Sequence, residues 1–143
     1  MPASLSHIAC VDDDPDILLV ASMALETVGG LRVTPFTGPR RALEGLSVIQ
    51  PDLVLLDVMM PEMDGPAFLK TMLAQKELSH MPVIFMTARV QAAEVSHYTA
   101  LGAVGVVAKP FDPMTLADQV RSIWQTWRTA ADAANSTQRN LRQ

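Results

Sequence analysis

Short apolar runs alternate five times with helix-like segments, and this alternation limits the fold more than any other feature of the sequence. The two central runs, Leu53–Leu56 and Val83–Met86, contain only apolar residues, as expected for strands buried on both faces of a sheet. We therefore predict an α/β fold with a doubly wound, five-stranded parallel sheet and helices on both faces. The predicted strands are His7–Val11, Leu31–Phe36, Leu53–Leu56, Val83–Met86 and Val104–Ala108. The predicted helices are Pro15–Val28, Pro39–Val48, Pro66–Gln75, Gln91–Leu101 and Pro113–Arg128.

The length of 143 residues suits one domain, and a hydrophobic share of 49% is enough to fill its core. We place this domain at residues 1–128. From Thr129 onward the sequence "TAADAANSTQRNLRQ" has almost no large apolar residue, which indicates a frayed helix end or a mobile tail. Residues 129–143 are therefore predicted to form a polar C-terminal tail or linker.

Composition excludes several classes of protein. The net charge is −4 and no basic cluster is present, which argues against direct binding of nucleic acid. The apolar runs are too short to span a bilayer, and Met1–Ser6 lacks the layout of a secretory signal. The one cysteine, Cys10, lies inside an apolar run and is predicted to be a buried, inert thiol. We therefore expect a cytoplasmic protein that does not contact the membrane.

Acidic residues gather where the first predicted strand ends, at Asp12, Asp13 and Asp14. Asp57 follows the third strand, Thr87 the fourth and Lys109 the fifth, so four strand ends carry reactive or charged side chains. In an open parallel sheet, ligands bind at the carboxyl ends of the strands. The pattern predicts one functional site at that edge.

The chemistry of this site follows from its residue types. Clustered carboxylates without a nearby arginine favour a hard cation, which here would be Mg²⁺ or Mn²⁺. A carboxylate can also act as a nucleophile and form an aspartyl-phosphate. A metal ion, a lysine and a hydroxyl group can then share the charge of the phosphoryl oxygens during transfer.

Four fragments, in order, resemble the receiver domain of two-component response regulators: "VDDD", "LLDVMMPEMDG", "TA" and "KPF". The resemblance covers roughly residues 7–127. It implies a chemotaxis-regulator-like, flavodoxin-like (βα)5 fold with strand order 2-1-3-4-5. It also implies a signalling domain rather than an enzyme, one that catalyses only its own phosphorylation and dephosphorylation.

The resemblance implies a role for each matching residue. Asp57 is expected to accept a phosphoryl group from a phosphohistidine of a histidine kinase or a histidine phosphotransfer protein. The magnesium ligands are expected to be Asp12, Asp13, Asp57 and the backbone carbonyl of Met59. Thr87 is expected to donate its hydroxyl hydrogen to the phosphoryl group.

The resemblance also assigns roles around the site. Lys109 is expected to pair with the phosphoryl group, and the Lys109–Pro110 peptide bond is expected to be cis. Pro61 and Gly65 are expected to shape the loop after Asp57.

Two features depart from the family or from an ordinary surface helix. Members of the family usually carry an aromatic switch residue where this chain has Val106. The stretch "ILLVASMAL" in the first helix carries no charge, and we predict that Leu18, Leu19 or Met23 lies near solvent in a patch that docks the phosphodonor. The residues assigned to the inner stripe of this helix are Ile17, Ala21, Ala24 and Val28.

The residues also bear on several alternative functions. A calcium-binding EF-hand loop is excluded because Ile17 and Met23 stand where that loop needs glycine and glutamate. Asp14 either caps the first helix or contributes to the metal site. An aspartate-dependent phosphatase is disfavoured because Met59 replaces its usual second acid. A nucleotide or flavin binder is disfavoured because no glycine-rich loop follows the first strand. The remaining rival is a receiver-like interaction module that works without phosphorylation; the downstream target is not identified by the sequence.

Overall fold

Five parallel strands form one sheet in the order β2-β1-β3-β4-β5, which confirms the predicted fold class and topology. The computed structural model describes the backbone of residues 4–142 and the side chains of residues 4–136. Residues 1–3 and 143, which the predicted domain and tail include, lie outside the described residues. The strands are β1 (His7–Asp12), β2 (Arg32–Thr37), β3 (Leu53–Asp57), β4 (Val83–Thr87) and β5 (Gly105–Ala108).

Each strand is followed by a helix, and local signals fix where the helices begin. The helices are α1 (Pro15–Met23), α2 (Pro39–Ile49), α3 (Gly65–Leu73), α4 (Ala92–Leu101) and α5 (Leu116–Arg142), and a π-helical segment, Ala24–Val28, continues α1. Asp14 caps α1 by accepting a hydrogen bond of 2.9 Å from the backbone N–H of Asp16. Asp64 caps α3 in the same way, through the N–H of Ala67 at 2.9 Å. These caps hold the acidic strand ends and the helix starts in fixed positions.

Helix α5 is longer than the sequence analysis predicted, since it continues past Arg128 to Arg142. The added segment is rich in alanine, the residue with the highest helix propensity, and the side chains of Arg128 and Asp132 form an ion pair of 3.8 Å one turn apart. The polar composition that indicated a tail is therefore compatible with helix. Whether residues 129–143 serve as a linker stays a prediction. No helix within residues 4–142 is both long and apolar enough to cross a membrane.

The sheet separates two apolar cores because side chains alternate along each strand. Leu53 and Leu55 of β3 face α1 and α5, whereas Val54 and Leu56 face α2, α3 and α4. All four side chains are fully buried, and each contributes roughly 1.5–3 kcal/mol relative to exposure. A sheet held from both sides in this way gives the strand ends a rigid base.

Candidate phosphorylation site

The carboxyl edge of the sheet brings together the four strand ends that the sequence singled out. Asp12, Asp57 and Thr87 are the last residues of β1, β3 and β4, and Lys109 follows β5 directly. Because β1 pairs with β3, β3 with β4 and β4 with β5, these residues lie side by side on one edge. Asp12, Asp57 and Thr87 are buried, so the protein fixes their positions.

Three carboxylates form a cluster that can hold a metal ion. Asp12, Asp13 and Asp57 each present a carboxylate oxygen, and these oxygens lie within 4.8 Å of one another. Asp12 and Asp57 are buried, whereas Asp13 faces solvent and leaves an entry route. A small set of carboxylates that leaves room for water and phosphate oxygens is the donor set that Mg²⁺ prefers. The residues therefore fit the metal predicted from the sequence, and Asp14 instead has the capping role described above.

Lys109 bridges two of these carboxylates. Its Nζ donates to Asp12 Oδ2 at 3.0 Å and to Asp57 Oδ1 at 2.9 Å. Burial alone would lower the pKa of Lys109, but the hydrogen bonds and charges of Asp57 and Asp12 outweigh it, so its pKa is raised. Lys109 is therefore cationic, and its single positive charge faces three acids.

The pKa of Asp12 reflects above all the burial of its carboxylate. Its pKa is raised first by burial and further by the charge of Asp57, against hydrogen bonds from the backbone N–H of Asp14 and from Lys109. Within the described part of the chain, no other lysine or arginine forms an ion pair with this cluster. An additional cation would therefore stabilise the ionised cluster.

Thr87 is placed to donate its hydroxyl hydrogen to a ligand. Its Oγ1 accepts a hydrogen bond of 3.1 Å from the backbone N–H of Arg89, so the oxygen is held while its own hydrogen stays available. The hydroxyl is buried at the strand end beside Asp57 and Lys109. This arrangement suits a group that carries negative oxygens.

The loop after Asp57 packs closely against the start of α3. Gly65 donates its N–H to the carbonyl of Val58 at 2.8 Å, and a Cβ atom at Gly65 would lie 2.9 Å from the Cα of Val58. Only glycine allows this close approach of the helix start to the acceptor loop. Met59 and Pro61 lie exposed on the same loop, and the Lys109–Pro110 peptide bond is cis.

The comparison with protein families agrees with this geometry. A family model described as the response regulator receiver domain matches residues 8–121. The chain belongs to this family. As a receiver, it is a signalling domain of two-component systems.

Relatives of this receiver include regulators from different bacteria. It is 30% identical over 127 residues to the response regulator Rre1 of Synechocystis, with 89% of this chain and 55% of the relative covered. It is 34% identical over 119 residues to the response regulator SaeR of Staphylococcus aureus, with 83% of this chain and 50% of the relative covered. The chain thus spans about half the length of the curated relatives it matches.

Solved structures give the same result. The Vibrio cholerae chemotaxis protein CheY4 superposes with a TM-score of 0.76 at 28% identity, covering 84% of this chain and 99% of that one. The N-terminal domain of a response regulator receiver protein from Methanoculleus marisnigri superposes with a TM-score of 0.68 at 33% identity, and the superposition covers 82% of this chain and 94% of that one.

Val106, the predicted switch position, has a small side chain. Val106 is half-buried on β5, opposite Phe85 of β4, and packs in the core shared with α4. Phe85 itself meets the ring of Tyr98 from α4 edge to face, with centroids 5.1 Å apart. Sequence analysis did not single out Tyr98, because its position in α4 is not near a motif. The role of Val106 as a switch position stays a prediction.

The predicted docking patch on α1 needs one correction. Leu18 is only 4% exposed and packs in the core, whereas Leu19 and Met23 are 61% and 57% exposed. Val28, which was assigned to the inner stripe, is 46% exposed. Leu18, Ala21 and Leu25 are buried at ordinary helical spacing, and the wider π-helical turn after Met23 rotates only Val28 outward.

A groove beside α1 completes this surface, and sequence analysis missed it. We call it the α1 groove: it has a volume of about 540 Å³ and is lined by Asp16, Ile17, Val20, Ala88, Lys109 and Phe111. Val20 is 44% exposed and joins the groove to the exposed face of α1. Phe111, in the "KPF" fragment, was the signal that could have located it.

Proposed function

We propose that this receiver accepts a phosphoryl group on Asp57 from a phosphohistidine of a sensor kinase or a histidine phosphotransfer protein, in a reaction that needs Mg²⁺ or Mn²⁺. Phosphorylation then shifts the receiver between conformations and so switches its binding to a downstream partner. The observation that carries the proposal is the contact of Lys109 with both Asp12 and Asp57, beside a carboxylate oxygen of Asp13. The cytoplasmic location expected from the sequence belongs to the same proposal.

The metal would be held by Asp12, Asp13 and Asp57, together with the backbone carbonyl of Met59. When bound, the ion supplies positive charge against the phosphoryl oxygens. The three clustered acids support this assignment, because within the described residues Lys109 is the one cation that pairs with them.

Asp57 is suited to be the nucleophile. Lys109 binds its Oδ1, whereas Oδ2 accepts no hydrogen bond from the described residues. In the proposed step, this oxygen forms a bond to phosphorus while the bond from phosphorus to the donor imidazole nitrogen breaks, and the electron pair stays with the imidazole. Lys109 and Thr87 then bind oxygens of the transferred group.

The surface formed by Leu19, Val20 and Met23 with the α1 groove would bind the phosphodonor. It is apolar and lies next to Lys109, so a partner seated there is close to Asp57. The proposed docking surface keeps Leu19 and Met23 from the predicted patch. It excludes the buried Leu18 and adds the exposed Val20. The rival, an interaction module that needs no phosphorylation, draws its support from Val106, which has no ring to move.

A direct test uses acetyl phosphate as a small phosphodonor. The proposal predicts one added phosphoryl group in the intact mass when Mg²⁺ is present, and none in the presence of a chelator. Asp57→Asn should abolish the addition, and Lys109→Ala should reduce it because the ammonium no longer balances the charge of the phosphoryl oxygens. An unmodified wild-type protein with intact far-UV circular dichroism would favour the interaction module, whereas rapid release of free phosphate would favour a phosphatase.

A further inference from the structure

A second groove borders the acidic cluster on the side away from α1. We call it the arginine groove: it has a volume of about 290 Å³ and is lined by Asp13, Gly38, Arg40, Arg41, Pro61 and Glu62. It lies between the start of α2 and the loop that follows Asp57. Asp13 belongs to both the groove and the metal-binding cluster, so a ligand in the groove is next to the phosphorylation site.

The two arginines of this groove are almost without partners. Arg40 reaches only Glu44, at 4.0 Å, and both side chains are largely exposed. Arg41 is exposed and has no hydrogen bond or ion pair within the described residues. An exposed ion pair of this length adds little to stability, so the guanidinium groups are free to bind another molecule.

Folding alone does not account for arginines at this position. Arg40 and Arg41 lie in the first turn of α2, where positive charge opposes the helix dipole. The preceding Gly38 supplies no side-chain cap, and the first turn contains no acid that would compensate. The contacts of α2 therefore give no sign that the positive charges of these arginines stabilise the helix.

We infer that the arginine groove binds an acidic segment of the phosphodonor protein, next to its phosphohistidine. This inference rests on the proposed function and adds a requirement on the donor. Two arginines offer hydrogen-bond donors in the forked geometry that suits carboxylates. Asp13 and Glu62 in the same groove disfavour a nucleic acid, because its phosphodiester chain carries a negative charge at every nucleotide and these two acids would repel it. Glutamates at a few positions can pair with the arginines and avoid the acids.

The inference divides the donor surface into two parts. The α1 groove would take apolar side chains, and the arginine groove would take carboxylates on the other side of Asp57. Because the arginines are exposed, salt screens their attraction for carboxylates. This attraction should affect which donor the receiver selects and how fast the two proteins associate.

The test compares two synthetic phosphohistidine peptides that differ only in three flanking residues, which are glutamates in one and glutamines in the other. Phosphotransfer to the full chain should be roughly three- to tenfold faster from the glutamate peptide at low salt, as expected for two exposed ion pairs. The preference should disappear in the double variant Arg40→Gln/Arg41→Gln. For the wild type, the ratio of the two transfer rates should fall toward one at about 0.5 M salt. The matched control, Lys70→Gln/Lys76→Gln, removes the same charge elsewhere and should keep the preference.

Fluorescence anisotropy of the unphosphorylated peptides repeats the comparison without any transfer step. Equal binding and equal transfer of both peptides by the wild type, a preference that survives in the arginine variant, or tighter binding of a single-stranded oligonucleotide would overturn the inference. Phosphorylation by acetyl phosphate should be the same in the wild type and the arginine variant. If acetyl phosphate fails with the wild type, the proposed function is wrong, and the anisotropy comparison still decides the role of the groove.

Discussion

Single residues at the two ends of β1 show how burial controls charge in this receiver. At the carboxyl end, Asp12 is buried but keeps Lys109 as a partner. At the other end, the side chain of His7 is also buried. Its Nε2 lies 2.8 Å from the hydroxyl oxygen of Thr34, and its Nδ1 lies 3.4 Å from a guanidinium nitrogen of Arg32. A guanidinium can only donate, so Nδ1 accepts and the neutral ring carries its hydrogen on Nε2. His7 therefore belongs to the fold in its neutral form.

His7 makes stability depend on pH. Its pKa is lowered, first by burial and then by the charge of Arg32, with Asp52 acting weakly in the opposite sense. A lowered pKa means that the unfolded chain binds the proton more tightly, so stability is complete above the unfolded value near 6.5 and is lost as the pH falls below it. The loss cannot exceed about 1.4 kcal/mol per pH unit for one proton.

The measurement is urea unfolding at several pH values between 5 and 8, with His7→Gln as the comparison. The wild type should lose more stability than the variant on acidification. Parallel curves for the two proteins would show that folding leaves the pKa of His7 unchanged, and a relative gain of the wild type on acidification would show that the fold favours the protonated ring; either result would contradict the neutral assignment.

At the scale of elements, the sequence predicted most of what positions the site. The alternation of apolar runs located all five strands and the strand ends Asp57, Thr87 and Lys109, because strand burial and turn chemistry are local signals. It did not predict the face of α1 that Leu18 occupies, because the stretch "ILLVASMAL" carries no charge on any side and its periodicity cannot select the buried face. It also missed the arginine groove, which forms only when two loops distant in the chain meet.

The correction on α1 gives a matched pair of variants. Leu18→Ala should lower the free energy of unfolding by about 2–5 kcal/mol because it leaves a cavity in the core. Leu19→Ala, on the next residue of the same helix, should change it by less than about 0.5 kcal/mol because its side chain is exposed. Chemical denaturation of both variants measures the difference, and similar losses of stability would contradict the assigned face.

At the scale of the whole molecule, the acidic cluster links metal binding to stability. Three carboxylates face one lysine, so an ion that binds only the folded receiver should stabilise it. Once the metal exceeds its dissociation constant, each further tenfold increase adds about 1.4 kcal/mol. The melting temperature should therefore rise with Mg²⁺ concentration.

Two neighbouring variants separate the metal site from general charge. Asp13→Asn should weaken the Mg²⁺ effect, because it removes one oxygen charge from the cluster. Asp14→Ser also removes one acid but keeps a side chain that caps α1, so it should retain the effect. If Asp14→Ser loses the effect instead, Asp14 takes part in the metal site. Differential scanning fluorimetry across a magnesium titration distinguishes these results.

The position of the phosphoryl group tests the central claim most directly. The wild-type chain is incubated with acetyl phosphate and Mg²⁺, the acyl phosphate is trapped by borohydride reduction, and peptides are sequenced by mass spectrometry. The arrangement of Lys109, Thr87 and the three acids predicts conversion of Asp57, and of no other aspartate, to homoserine. Trapping at Asp12 or Asp13, or a folded protein with no trapped residue, would contradict the assignment of Asp57 as the acceptor.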